Sequence, residues 1–209
     1  IEEALISLQQ QSFTEFEALI VDDGSTDSTA EIVRQFCDRD SRFKLLQKLN
    51  GGLSSARNHG IRHANTDYTA LLDAHERYEP EKLATHVNIL ERNNTVGVVY
   101  SASKAIREDG GSTFMQLSGK PIYTDPLKSL LCKNFVGHGS NAVFRRCIVD
   151  RVGFFDETLR SSEDVDYWIR IATLGYWTFY RVHLPLTCYR VRPSGLSFNF
   201  AQMQRCNEQ

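Results

Sequence analysis

The stretch "FEALIVDDGSTDSTAEIVRQFC", residues 16–37, decides how the rest of the chain is read. Its apolar run, residues 16–21, does not alternate with polar residues, so it reads as a strand buried on both faces. The run stops at Asp22-Asp23-Gly24-Ser25, and Ser28 with Glu31 then has the spacing of a capping box at the head of a helix.

The same succession repeats outward from there. "FKLLQ" (43–47) predicts a second strand, and "GGLSSARNHGIRHA" (51–64) keeps a helical spacing at Leu53, Ala56, Gly60, Ile61 and Ala64. "YTALLD" (68–73) predicts a third strand, "PEKLATHVNILERN" (80–93) a helix opened by Pro80, and "VGVVYSAS" (96–103) a fourth strand. Upstream, Ile1, Ala4, Leu5 and Leu8 share one side of an amphipathic helix. Strands separated by single helices imply right-handed crossovers, so the expectation is an α/β, Rossmann-like, three-layer fold around a mostly parallel sheet.

From about residue 104 the alternation breaks down. "REDGGS" reads as a turn, and the chain to about 145 mixes short apolar pieces with Gly, Pro and Asn. "EDVDYWIRIATLG" (163–175) predicts a helix with Val165, Trp168, Ile169 and Ala172 inward. "WTFYRV" (177–182) and "LTCYRV" (186–191) read as two further strands. No repeat or low-complexity linker intervenes, so one domain over 1–209 is expected, its second half built onto the sheet.

Lys plus Arg number 24 against 26 for Asp plus Glu, a net charge of -2, which offers no basic field for nucleic acid. The five cysteines, Cys37, Cys132, Cys147, Cys188 and Cys206, contain no C-x-x-C pair and read as free thiols in a reducing compartment. No apolar run approaches the roughly 20 residues that span a bilayer.

In an open parallel sheet, ligands bind beyond the carboxyl ends of the strands. Three polar clusters fall there: Asp22-Asp23-Gly24-Ser25, Asn50-Gly51-Gly52, and Asp73-Ala74-His75. The first is either a helix entry or a pair of acceptors for a nucleobase N–H or ribose hydroxyl. The second is either a glycine turn or the approach to Arg57, whose guanidinium in the next helical turn can serve phosphate or base oxygens. Asp73 and His75 share a face at a strand end and form a candidate divalent-cation pair; the alternative is a solvated turn. Neither a P-loop nor a G-x-G-x-x-G fingerprint is present. In "RSSEDVDYWIRIATLG" (160–175), Ser161 and Asp164 match a capping box, and first-turn carboxylates suit the helix dipole. The other reading makes one carboxylate there a general base.

Taken in order, "FEALIVDDGSTDSTAEIV", "NGGLSSARNHGI", "YTALLDAHERYEP", "FDETLRSSEDVDYWIRIATLG" and "PLTCYRVRPSGLS" resemble a family 2 glycosyltransferase of the GT-A fold over nearly all 209 residues. The resemblance implies an inverting enzyme that uses a nucleotide-sugar donor with Mn or Mg. It implies a nucleotide-sugar-binding half, 1–103, and an acceptor and catalytic half, 104–209. The implied acceptor is a saccharide, a lipid-linked group or a protein, in polysaccharide or cell-envelope biosynthesis. The implied location is the cytoplasm, or a peripheral position at the inner face of the membrane. The family's opening strand is missing ahead of Ile1, as in an N-terminally truncated fragment. By the same resemblance Asp22 and Asp23 take the nucleobase role, and Arg57 helps hold base or diphosphate. Asp73 falls on the first aspartate of the family's D-x-D and His75 replaces the second, which favours softer cations such as Mn. Asp164 becomes the catalytic base, with Glu163 beside it. Arg190 and Arg192 are either diphosphate ligands or surface charges, and His138 is either a lining residue or an ordinary loop histidine. Two other classes stay open: a non-catalytic nucleotide-sugar-binding module and a nucleotidyltransferase.

Overall fold

The computed structural model describes residues 1–109, 111–117, 122 and 125–191. Helix α1 (Glu2–Gln9) leads into β1 (Ala18–Asp22), α2 (Thr29–Arg39), β2 (Phe43–Gln47), α3 (Leu53–His63) and β3 (Tyr68–Ala70). There follow β4 (Arg77–Tyr78), α4 (Lys82–Arg92), β5 (Val96–Ile106), β6 (Ser112–Leu117), α5 (Pro126–Cys132) and β7 (Ala142–Arg145). Helices α6 (Val149–Val152) and α7 (Glu163–Thr173) precede the last strand, β8 (Thr178–Arg190).

The first βαβ unit forms as expected. β1 and β2 are parallel and in register from Ala18 opposite Phe43 to Asp22 opposite Gln47. Leu5 of α1 and Val33 of α2 bury against Ala18 and Phe43 in a core of their own.

The expectation of a mostly parallel sheet is corrected in the other sheet, whose order is β3-β7-β5-β8-β4 with β6 also on β5. Only β5 and β8 are parallel there; β3–β7, β7–β5, β5–β6 and β8–β4 are antiparallel. The α/β class stands and the sheet is mixed. The reversals come from β4, β6 and β7, short strands that carry too few residues to show a period.

β5 is the spine, with Val98, Val99 and Tyr100 fully buried. The two strands expected over 177–191 are one, β8. Its register against β5 jumps from Ser101 opposite Val182 to Ala102 opposite Pro185. Pro185 has no N–H to give the ladder, and the bulge absorbs the residues that read as a break.

Helix α7 packs Tyr167, Trp168, Ile171 and Ala172 into the main core, so its inner face is rotated from the expected one, and Val165 and Ile169 are only half-buried. Tyr167 stacks on Phe155 with ring centroids 4.1 Å apart. Neither expected capping box forms. Ser28 caps α2 without a side-chain hydrogen bond, and α7 starts after Ser162, which sits at φ +60 and makes none either.

Among the described residues no helix is long and apolar enough to cross a membrane. Cys37, Cys132, Cys147 and Cys188 are unbridged.

Candidate active site

The site grows out of the loop between β3 and β4, residues 71–76, which is held from four sides. Tyr78 Oη donates to the Leu71 carbonyl at 2.5 Å, and the Asp73 N–H donates to Ser140 Oγ at 3.0 Å. Glu76 N–H closes a turn onto the Asp73 carbonyl at 2.9 Å, and Arg190 Nε donates to the His75 carbonyl at 2.8 Å.

Arg190 is therefore a brace. It is buried, and its other donors go to the Arg107 and Glu108 carbonyls and to Glu3, which leaves the expected phosphate role without support. Arg192 lies outside the described residues.

Arg57 comes up from the second turn of α3. Its Nη2 meets Asp73 Oδ1 at 3.0 Å and its Nη1 meets Glu163 Oε1 at 2.6 Å, with 7% of its side chain exposed. Two carboxylates from distant parts of the chain are thus tied by one guanidinium. The sequence reading gave Arg57 to base or diphosphate; here Nη1 and Nη2 each hold a carboxylate, an arrangement that orders the site. Gly139 makes room for it, since a Cβ at that position would lie 2.7 Å from Nη2. The neighbouring Asn58 exchanges hydrogen bonds with both the N–H and the C=O of Phe155, at 2.8 and 2.9 Å. That double bond fixes the segment leading into α7.

Asp164 is half-buried beside this cluster, its Oδ1 accepting from Val165 N–H at 2.8 Å. Burial, reinforced by the charge of Glu163, pushes its carboxyl up to about 6, while Arg57 pulls the other way. For Asp73 burial also opposes ionisation, but the Arg57 charge and hydrogen bond win and hold its pKa below the usual range. One carboxylate is tuned to take a proton and the other to stay charged.

Asp22 and Asp23 sit one layer away. Asp22 accepts from Gln47 and from the Ser25 N–H, and both hydrogen bonds lower its pKa. Asp23 accepts from the N–H groups of Gly51 and Gly52 and from Lys48. Burial raises the Asp23 pKa, and these partners more than offset it. Asp23 holds the turn before α3 in place, while Asp22 ties the end of β2 to its own loop. Across from that turn lies a cleft of about 270 Å³, lined by Gly52, Ser54, Glu157, Arg160 and Glu163 among others.

Asp73, His75 and Glu76 each place one ligand-capable atom within 4.8 Å of the others. One oxygen of the buried Glu76 carboxylate has no hydrogen-bond partner. An imidazole with carboxylate oxygens suits Mn, and the set fits a divalent ion. The sequence reading missed Glu76, because nothing in "DAHERYEP" distinguishes it from an exposed turn glutamate.

Crossover helices, a mixed sheet and an acidic cluster at strand and helix ends define a GT-A-type α/β domain. Residues 1–153 match Glycosyl transferase family 2, and the chain belongs to that family. It is 30% identical over 174 residues to an uncharacterized glycosyltransferase of Rickettsia conorii, covering 82% of this chain and 28% of that protein. Staphylococcus aureus TarS 1-349, solved with UDP-GlcNAc, superposes with a TM-score of 0.72 at 22% identity, over 92% of this chain and 55% of that one. The mannosyltransferase PcManGT of Pyrobaculum calidifontis, solved with GDP-Man and Mn2+, gives 0.72 at 22% identity over 100% and 58%. The chain spans about a quarter to a half of the length of the curated relatives it matches.

Proposed function

We propose that this chain carries the catalytic site of an inverting glycosyltransferase that moves a sugar from a nucleotide-diphosphate sugar to an acceptor hydroxyl. The observation that carries the reading is Asp164: a half-buried carboxylate, raised to about 6, next to the Asp73–Arg57–Glu163 chain of charge. A base with a pKa near the working pH accepts a proton in the transition state and is still mostly ionised beforehand.

In this mechanism Asp164 takes the proton of the acceptor hydroxyl, and that oxygen attacks the anomeric carbon from the face opposite the nucleotide. Bond making and breaking occur on opposite faces, so the configuration inverts. Arg57 holds Glu163 and Asp73 on one guanidinium and thereby fixes α7, with Asp164 at its head, against the 71–76 loop. Asp23 shapes the turn that faces the base and ribose, and Asp22, which accepts from Ser25 and Gln47, keeps lone pairs for them. Asp73 and His75 would hold Mn or Mg, and that cation supplies Lewis-acid stabilisation of the charge on the departing diphosphate. The TarS and PcManGT complexes, with UDP-GlcNAc and with GDP-Man and Mn2+, support a nucleotide-sugar donor and a metal.

The test is Asp164→Asn, assayed for transfer from a panel of UDP- and GDP-sugars. Loss of about 100- to 10,000-fold in kcat with donor binding retained is expected. Near-normal turnover removes Asp164 from the base role.

A further inference from the structure

Glu76 is a buried glutamate, 1% exposed, placed directly after the Asp73-Ala74-His75 segment. Burying a carboxylate costs several kcal/mol unless it is paired or bound to a cation. Its Oε2 has no hydrogen-bond partner, and His138 Nδ1 stands 3.2 Å away without hydrogen-bond alignment. His138 Nδ1 is itself without a hydrogen-bond partner, while Nε2 lies 2.9 Å from Ser103 Oγ. The ring is further held against Tyr189, with centroids 4.7 Å apart.

We propose that Glu76 is the third protein ligand of the cation held by Asp73 and His75, and that His138, fixed by Ser103, is the positioning residue that orients the Glu76 carboxylate. This rests on the metal-assisted reading above and adds to it the residue that completes the ligand set. With Ser103 O–H donating to Nε2, the ring proton sits on Nδ1, 3.2 Å from Glu76 Oε2, so a small rotation of the carboxylate aligns the pair and leaves its remaining lone pairs for the ion. The charge count supports the assignment. A D-x-D pair gives a divalent cation two carboxylates; an imidazole ligand such as His75 brings no negative charge, and Glu76 restores the second carboxylate.

The probe is Mn(II) alone, titrated into the whole chain and followed by the loss of the free-ion EPR signal. Wild type is expected to bind, Glu76→Gln to weaken binding at least about tenfold, and His138→Gln to weaken it by roughly ten- to a hundredfold. A purely structural Glu76 gives a folded Glu76→Gln protein with wild-type affinity, and that result overturns the proposal. Should Glu76→Gln fail to fold, Glu76→Cys decides. A thiolate in the ligand set raises the Cd(II)-to-Mn(II) affinity ratio by at least about tenfold, and a residue outside it leaves the ratio unchanged. Wild type that binds no Mn(II) sinks the metal reading itself, a different failure from one confined to the Glu76 variants.

Discussion

Arg57 is the residue on which the local electrostatics turn, because its guanidinium pairs with both Asp73 and Glu163, whose side chains are 21% and 9% exposed. Arg57→Met leaves both carboxylates facing each other without a counter-charge. Breaking a buried pair in this way costs on the order of 3 kcal/mol, to be read from denaturant midpoints. The same substitution removes the one nearby cation that most lowers the Asp164 pKa. The acid limb of kcat, expected near pH 6 in the wild type, therefore moves to higher pH in Arg57→Met. An unmoved limb would mean that some group other than Asp164 sets it. Linkage gives a second, opposite-signed effect at Asp164. Its folded pKa is raised above the ordinary 3.8, so its contribution to stability is full below that value and is lost as pH rises through about 6. Asp164→Asn, the variant expected to lose transfer, is accordingly expected to match or exceed wild-type melting temperature at about pH 8, a common trade at active sites.

At the scale of elements, legibility follows length and period. β1, β2, α2, α3 and α4 were readable because a five-residue, largely apolar run ended by polar residues, or an eleven-residue helix, shows its pattern, although β1 is mostly half-buried and β2 partly exposed rather than covered on both faces. The two-residue β4 and the four-residue β7 show no period, so the antiparallel half of the sheet was not readable. The site divides in the same way. Asp73, Glu163 and Asp164 stand at element ends in recognisable segments, whereas Glu76 and Gly139 matter only through what the fold brings against them. Asn141 shows how that half is fastened. Its side-chain Nδ2 donates to the Ser101 and Val136 carbonyls, and its Oδ1 accepts from Ser101 Oγ and Thr187 Oγ1. One amide thus ties β5, β8 and the segment before β7 in a fully buried place. Asn141→Ala strands several polar groups away from water, and a loss of about 3 kcal/mol is expected in urea unfolding. A loss under about 1 kcal/mol would mean that the groups find water or each other.

For the whole molecule, the described residues form three cores: α1 and α2 on the β1–β2 sheet, α7 against one face of β5, and α4 against the other. Among the described residues the β1–β2 sheet and the larger sheet share no strand pairing, so their connection runs through α1, whose Ser7 and Glu3 bond Tyr78 and Arg190, and through α3 with side chains such as Arg57 and Asn58. A ligand that contacts both units adds to that connection, and any ligand that binds only the folded state stabilises it by mass action. At about a hundred times Kd the gain is about 2.7 kcal/mol, which for a domain of this size raises Tm by roughly 5–10 °C. The proposed role of the cation makes the effect conditional: the diphosphate donors should shift Tm more with Mn present than without, and free monosaccharides should not. A panel of UDP- and GDP-sugars, each run with and without Mn, reads this directly. A shift of equal size with and without Mn would remove the cation from donor binding while leaving the donor in place. No shift from any nucleotide sugar under either condition would leave the site without the ligand proposed for it.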